Sequence, residues 1–241
     1  MKLRKMITLA TLGLFFLSMN TSYAEDIGTQ TLVDTSKDPK SKYSARYDPN
    51  YSSYCSATII SKTTVLTAKH CAGNKRIDTY IGAVYPGQSG LNTPFGKMNI
   101  SSYIPNDDDD IAILKGSEND MDNTYKHYMK DANINITPFN KEALQGLVGK
   151  KVYSYGYPAV NLTGYKQYKS EGVITKINQV TGEVTTNMPV ISGQSGSGVF
   201  LEEEDRFLGV IHSASRNSQG ENIAIVTPMN KRLTNWFNKN K

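Results

Sequence analysis

Three short motifs in this 241-residue chain contain the residue types that nucleophilic hydrolysis requires. A serine hydroxyl is a poor nucleophile at neutral pH until a histidine removes its proton and a carboxylate fixes the tautomer of that histidine. We therefore predict His70 as the general base, Asp110 as the orienting carboxylate and Ser195 as the nucleophile. Their motifs are, in chain order, TAKHC at 67–71, DIAIL at 110–114 and GQSGSG at 193–198.

The glycines around the third motif favour one serine over its neighbours. Ser192 and Ser197 lie in the same loop, but only Ser195 stands in the pattern Gly-x-Ser-Gly. Gly193 and Gly196 allow the sharp backbone turn that would direct the amides of Gly193 and Ser195 at a developing oxyanion. We therefore predict that these two amides form an oxyanion hole.

The carboxylate of the second motif belongs to a run of four aspartates at 107–110. Such a run is usually a solvated turn or a weak calcium loop, but this one lacks the alternating donors and the glycine of an EF-hand loop. Only Asp110 directly precedes the apolar segment 111–114, so we expect it to be buried beside an imidazole. Asp109 is the alternative if the register differs by one residue. The sequence predicts no metal site and no cofactor.

The elements that must position these residues are short strands. From about residue 46, runs of β-branched and aromatic residues alternate with Gly, Pro, Asn and Asp, which predicts an all-β fold. His70 follows one such run, 63–68, after a single intervening residue. The predicted strands are 56–60, 63–68, 79–85, 98–104, 110–114, 151–157, 166–177, 183–186, 198–201, 207–212 and 223–226.

Two helices are predicted outside these strands. A short helix is predicted at 141–147, within a polar connection at 115–149. At the end of the chain, Met229, Leu233, Trp236 and Phe237 recur at helical spacing, which indicates an amphipathic helix. We expect this terminal helix to dock on the second half of the fold; a membrane-surface helix is the alternative.

The only two cysteines are Cys55 and Cys71, at the ends of a predicted hairpin. Their positions on adjacent strand ends favour a disulfide in an exported protein. Closing this loop would stabilise the fold by about 3 kcal/mol.

Export is predicted from the N-terminus, where residues 1–24 combine a basic start, an apolar stretch and the site Ser22-Tyr23-Ala24 that signal peptidases prefer. The apolar stretch is shorter than a membrane-spanning helix, so we expect no stable membrane insertion. Residues 25–45 are polar and are predicted to be a propeptide or a flexible N-terminal arm.

The charge of the chain argues against one class of function, nucleic-acid binding, and the length indicates the number of folded units. Residues 1–24 contain three of the 27 basic residues and none of the 22 acidic ones, so the remaining 217 residues have a net charge of +2. No basic stripe alternates with aromatic residues, which argues against nucleic-acid binding. The remaining length suits one folded unit, which we expect to be a monomer.

From about residue 50 to its end, the chain resembles a secreted bacterial chymotrypsin-fold serine endopeptidase of the glutamyl endopeptidase and exfoliative toxin branch. The order His, Asp, Ser and the segments 155–158 and 209–213 carry this resemblance besides the three motifs. It implies two antiparallel six-stranded β-barrels with a C-terminal helix. The serine protease domain would span 46–241: a first barrel at 46–115, a linker at 116–149, and a second barrel with the terminal helix at 150–241.

The resemblance also implies where a substrate side chain would bind. The recess for the residue before the scissile bond would be formed by Val190, His212, Ser213 and Ser215. In acid-specific relatives a histidine at the place of His212, helped by a hydroxyl where this chain has Val190, holds a glutamate carboxylate. We therefore predict a preference for acidic residues, with Ser215 or Arg216 replacing the missing donor.

One departure from trypsin-like zymogens concerns activation. In those zymogens an aspartate before the nucleophile pairs with the new N-terminal amine, and Gln194 cannot supply that charge. If this protein is a zymogen, its activation must follow another route.

Together these features predict a secreted, extracellular serine endopeptidase that acts on a protein or peptide substrate. The alternative is a proteolytically quiet binding protein or effector on the same fold.

Overall fold

The computed structural model describes residues 26–49, 53–159 and 165–241 of the chain. They form fourteen strands and three short helices, and none of these helices is long and apolar enough to cross a membrane. The strands are β1 (Thr29–Leu32), β2 (Ser44–Asp48), β3 (Cys55–Ser61), β4 (Thr64–Thr67), β5 (Ala83–Pro86), β6 (Met98–Asn99), β7 (Ser102–Pro105), β8 (Ala112–Lys115), β9 (Lys151–Gly156), β10 (Tyr168–Ile177), β11 (Val184–Pro189), β12 (Gly198–Leu201), β13 (Arg206–Arg216) and β14 (Asn222–Pro228). The helices are α1 (Asn123–Tyr128), α2 (Lys141–Gln145) and α3 (Lys231–Asn240). The predicted signal peptide lies outside the described residues.

The first sheet contains seven antiparallel strands in the order β6-β5-β2-β3-β4-β8-β7. Its inner face is a continuous apolar core that includes Tyr47, Ile59 and Leu114. Within the described residues β6 and β7 remain its two edges and do not pair with each other, so this sheet is a half-barrel. The two barrel-like sheets of the predicted fold are confirmed, but the first has seven strands instead of six.

The second sheet closes on itself. Strands β9 to β14 form a ring in the order β10-β11-β14-β13-β12-β9, because β9 also pairs with β10. In β11, Val184, Thr186 and Met188 are buried while their neighbours are partly exposed, as expected for a strand with one face in a core. This closed six-stranded barrel agrees with the predicted second barrel.

The N-terminal segment is part of the second sheet. Strand β1 pairs with β10 from Thr29↔Glu171 to Leu32↔Tyr168. Beyond β1, Val33 donates from its backbone amide to Gln167 at 3.0 Å. This pairing differs from the flexible arm expected at 25–45: the three polar residues and one leucine of β1 show no apolar period, but backbone pairing to a neighbouring strand needs none. Removal of this segment as a propeptide stays untested.

The terminal helix α3 begins after Asn230, whose side-chain oxygen accepts a hydrogen bond from the backbone amide of Leu233 at 2.9 Å. Its apolar face is buried, which excludes the membrane-surface alternative for this face. Leu233 and Phe237 pack in a cluster that contains residues of both sheets. The helix was expected on the second barrel, and it contacts residues of the first sheet as well.

Candidate active site

Strand pairing in the first sheet brings His70 and Asp110 together. β4 and β8 are antiparallel, and Thr67 at the end of β4 is paired with Ala112 at the start of β8. His70 follows β4 in a 3-10 turn, and Asp110 precedes β8 by two residues. Residues 40 positions apart in the chain therefore become neighbours through a single strand pair.

The carboxylate of Asp110 contacts His70 in two ways. Its Oδ2 lies 2.7 Å from the ring nitrogen Nδ1, and its Oδ1 accepts a hydrogen bond from the backbone amide of His70 at 2.9 Å. The first contact places the proton of a neutral imidazole on Nδ1, which leaves Nε2 as the acceptor. The second contact fixes the carboxylate relative to the backbone, so both partners have one orientation.

The same contacts shift both pKa values in the direction that favours the charged pair. The hydrogen bond to Asp110 raises the pKa of His70 above its ordinary value of 6.5, although partial burial opposes the change. Burial alone would raise the pKa of Asp110, but the hydrogen bonds from the ring and the amide of His70 outweigh it and lower that pKa. An imidazolium at His70 is therefore stabilised by an ionised carboxylate.

The rest of the acidic run has other partners. Asp108 pairs with Arg232 of α3 at 2.7 Å, and Asp109 pairs with the same guanidinium. The backbone amides of both aspartates donate to the side-chain oxygen of Asn106. The structure thus brings Asp110 to His70, and the alternative register with Asp109 is not observed.

The loop that contains Ser195 is bound to both sheets. Its Gly196 amide donates to the carbonyl of Ile211 in β13 at 2.7 Å. From β3, Ser56 donates its backbone amide to the carbonyl of Ser195 at 2.9 Å and its hydroxyl to the carbonyl of Gly193 at 2.8 Å. The predicted nucleophile therefore lies where the two sheets meet.

Two glycines in this loop have conformations that other residues rarely adopt. Gly193 and Gly196 have φ angles of +93° and +88°. A Cβ atom on Gly193 would lie 2.5 Å from the carbonyl oxygen of Tyr157, and one on Gly196 would lie 2.2 Å from that of Ser56. Among the described residues, the amides of Gly193 and Ser195 donate no hydrogen bond, so both remain available as donors.

Cys55 and Cys71 form a disulfide, as predicted. Cys55 adjoins Ser56, which binds the Ser195 loop, and Cys71 adjoins His70. The Sγ atom of Cys71 lies 4.0 Å from the carbonyl oxygen of Ser195. The covalent bond therefore joins the turn of His70 to the strand that holds the nucleophile loop. His70 and the two sulfur atoms lie within 4.8 Å of one another, but bridged sulfurs are not thiolate ligands for a metal.

Sequence reasoning missed the partner of Gln194. This side chain is fully buried, and its Oε1 accepts hydrogen bonds from Nε2 of Gln30 at 3.0 Å and from the amide of Ile191 at 2.9 Å. Gln30 belongs to β1 and also donates to the hydroxyl of Ser170 at 3.0 Å. The N-terminal strand thus contacts the residue that precedes Ser195.

The residues predicted for the recess have different environments. Val190 is buried in the core of the second barrel, and its amide donates to Asn222 at the start of β14. Ser213, Ser215 and Arg216 lie on the exposed end of β13. Within the described residues, the side chains of Ser213, Ser215 and Arg216 form no hydrogen bond, so no such contact holds them beside Val190.

His212 is largely buried in β13, and both of its ring nitrogens have neighbours. Nδ1 lies 2.9 Å from the hydroxyl of Thr227, and Nε2 lies 3.2 Å from a carboxylate oxygen of Glu183. Burial lowers the pKa of His212 from its ordinary value, and the negative charge of Glu183 opposes that shift. Sequence reasoning did not predict this contact of Glu183, because the residue lies in a polar turn directly before β11 and belongs to none of the motifs.

Comparison with known proteins agrees with this geometry. The family model described as Trypsin matches residues 33–237. The chain therefore belongs to the trypsin family of serine proteases and has the chymotrypsin fold.

Solved structures show the same fold at low identity. A Glu endopeptidase is 20% identical with a TM-score of 0.68, covering 89% of this chain and 96% of its own. A thermostable serine protease from an extremophilic microorganism is 16% identical with a TM-score of 0.62, covering 85% and 100%. Neuropsin from mouse brain is 17% identical with a TM-score of 0.62, covering 84% and 96%.

Proposed function

We propose that this protein is a secreted serine endopeptidase that uses His70, Asp110 and Ser195 as its catalytic triad. The observation that carries the proposal is the double contact of Asp110 with the ring and the amide of His70, beside a glycine-bounded serine loop. A proteolytically quiet binding protein would not need this arrangement. The free amides of Gly193 and Ser195 support the same function.

In the proposed reaction, the Ser195 hydroxyl attacks the carbonyl carbon of a peptide bond while Nε2 of His70 takes its proton. Asp110 stabilises the imidazolium, and the amides of Gly193 and Ser195 stabilise the oxyanion. His70 then gives the proton to the leaving amine, which leaves an acyl-enzyme on Ser195. Water hydrolyses this ester by the same steps, with His70 again as base.

Secretion is supported by the signal peptide predicted at residues 1–24 and by the disulfide, because disulfides persist in oxidising compartments. Activation, if a precursor exists, would not use an ion pair with residue 194. Gln194 is already held by the neutral side chain of Gln30, so a new charged N-terminus has no carboxylate to meet there.

An acidic preference, expected from His212, requires this ring to receive a substrate carboxylate. The position of His212 supports that expectation, because the adjacent residue Ile211 accepts a hydrogen bond from Gly196 in the nucleophile loop. Against it stands Glu183, whose own carboxylate already lies at Nε2. A peptide library in which the residue before the scissile bond is varied through all twenty amino acids shows whether the enzyme prefers acidic residues there.

Ser195→Ala tests the proposed function. We expect a folded protein that has lost about 10⁴ to 10⁶ in turnover of casein and is no longer labelled by a serine-directed phosphonate. Ser192→Ala, in the same loop, is the matched control and should be labelled normally. Retention of more than a few per cent of activity in Ser195→Ala would contradict the assignment.

A further inference from the structure

Glu183 is held in place by the turn that joins β10 and β11. One carboxylate oxygen of Glu183 accepts a hydrogen bond from the hydroxyl of Thr181 at 2.8 Å. The backbone carbonyl of Glu183 accepts one from the backbone amide of Asn178 at 2.9 Å. The side-chain oxygen of Asn178 in turn binds the amides of Val180 and Thr181. The carboxylate is therefore anchored on one side, and its other oxygen lies at ion-pair distance from His212.

The ring of His212 has little freedom to serve a second carboxylate. Its side chain is only 12% exposed, whereas that of Glu183 is 38% exposed. Thr227 occupies the Nδ1 side of the ring and Glu183 the Nε2 side. A carboxylate only accepts hydrogen bonds, so the nitrogen that faces Glu183 is the one whose proton is stabilised.

The surrounding charges also disfavour an acidic ligand. Besides Glu183, the negative charges of Asp110 and Asp109 raise the pKa of His212, and the positive charge of protonated His70 lowers it. Two carboxylates that share one imidazole repel each other, so a substrate carboxylate would be repelled by the anchored carboxylate of Glu183. Without His212 as a partner, the substrate carboxylate would be a buried unpaired charge, which is costly, so an acidic side chain is disfavoured in this recess.

We propose that Glu183 is a specificity-determining residue that occupies the carboxylate position at His212, so that the enzyme cleaves after uncharged residues and discriminates against acidic ones. The proposal rests on the proposed function, because it concerns the substrate side chain of the same site. It makes Glu183 an internal substitute for a substrate glutamate. It also reverses the acidic preference that His212 by itself predicts.

Glu183→Gln tests this role, because the amide keeps the size of the side chain and the acceptor for Thr181 but removes the charge. We compare cleavage of two matched peptides that differ only in glutamate or glutamine before the scissile bond. Wild-type enzyme should cleave the glutamine peptide at least 10-fold faster. In Glu183→Gln the ratio of glutamate to glutamine cleavage should rise by about 10- to 100-fold, as expected for gaining a hydrogen bond to a charged group.

Glu202→Gln, an exposed residue that pairs with Lys151, is the matched control and should leave the ratio unchanged. Labelling of Ser195 by the phosphonate in every variant shows that the site is folded. A wild-type enzyme that prefers glutamate, or a Glu183→Gln variant with an unchanged ratio, would overturn the inference. Failure of the proposed function is recognised separately, since wild-type protein would then neither be labelled nor cleave either peptide.

A second measurement does not depend on activity. The chain has three histidines, and the resonance of His212 can be assigned by its loss in His212→Gln. Because Glu183 raises the pKa of His212, Glu183→Gln should lower that pKa in an NMR titration. An unchanged titration would show that the two side chains do not interact in solution and would refute the proposal.

Discussion

The side-chain amide of Gln30 donates to Oε1 of Gln194 at 3.0 Å, which links the N-terminal strand to the residue before Ser195. Gln194 has no exposed surface, so this hydrogen bond is protected from water. The amide of Ile191 binds the same oxygen, and the loop that leads to Ser195 is thereby closed on Gln194. Two neutral amides here hold a loop in place without an ion pair.

Gln30→Ala should therefore impair catalysis. Removing one partner of a buried hydrogen bond costs about 1 to 3 kcal/mol, and part of this cost should fall on the geometry of the Ser195 loop. We expect a 5- to 100-fold lower kcat/KM, mostly in kcat, and slower phosphonate labelling. The value of kcat/KM and the rate of phosphonate labelling are both measured well below the unfolding temperature of the variant.

Thr31→Ala is the matched control, because adjacent residues of a strand point to opposite faces. Thr31 is exposed, and its replacement should change neither rate. Equal losses in both variants would mean that β1 only stabilises the fold.

Asp110→Asn should remove the orienting carboxylate while preserving the shape of the side chain. The amide stabilises neither the imidazolium nor the Nδ1–H tautomer, so kcat should fall by about 10⁴. Asp109→Asn is the control: Asp109 pairs with the half-exposed Arg232, and such pairs contribute at most about 1 kcal/mol. Comparable losses in the two variants would refute the assignment of Asp110.

The pH dependence follows from the raised pKa of His70. The base must be neutral, so kcat/KM should rise with pH and reach half its plateau above pH 6.5. Asp110→Asn removes the hydrogen bond that raises this pKa, and the residual activity should reach half its plateau at lower pH. A midpoint that the substitution leaves unchanged would assign the titration to another group.

The contribution of His70 to the free energy of unfolding falls as pH rises, which is opposite to the expected rise of kcat/KM. A raised folded-state pKa means that the pair stabilises the fold while His70 is protonated, fully below its unfolded pKa, and that this contribution is lost as pH rises through the folded pKa. The lowered pKa of Asp110 contributes stability above its unfolded value of 3.8 that is lost in acid. Urea unfolding as a function of pH measures both effects.

Removal of the disulfide should lower both stability and activity. Replacing Cys55 and Cys71 by alanine opens a loop of 16 residues, which should cost about 3 kcal/mol of unfolding free energy. Because Cys71 adjoins His70, kcat should also fall under conditions where the variant is folded. An unchanged kcat in folded variant would show that strand pairing alone positions His70.

The sequence by itself predicted the local features. The runs of β-branched residues gave most strands, the spacing of Leu233 and Phe237 gave the terminal helix, and the two cysteines gave the disulfide, all of which the structure confirms. The motifs also selected His70 and Asp110, which the structure brings into contact. These features are readable because each depends on residue types at short, regular spacing.

Only the tertiary structure decided the contacts between distant polar residues. Gln30 meets Gln194 across 164 positions, and Glu183 before β11 meets His212 in β13 across the strand β14 that lies between them in the barrel. Neither Gln30 nor Glu183 belongs to a motif, and strand β1 has no apolar period that would predict it. Such contacts depend on strand register and barrel closure, which arise from the packing of the whole chain, so no local pattern encodes them.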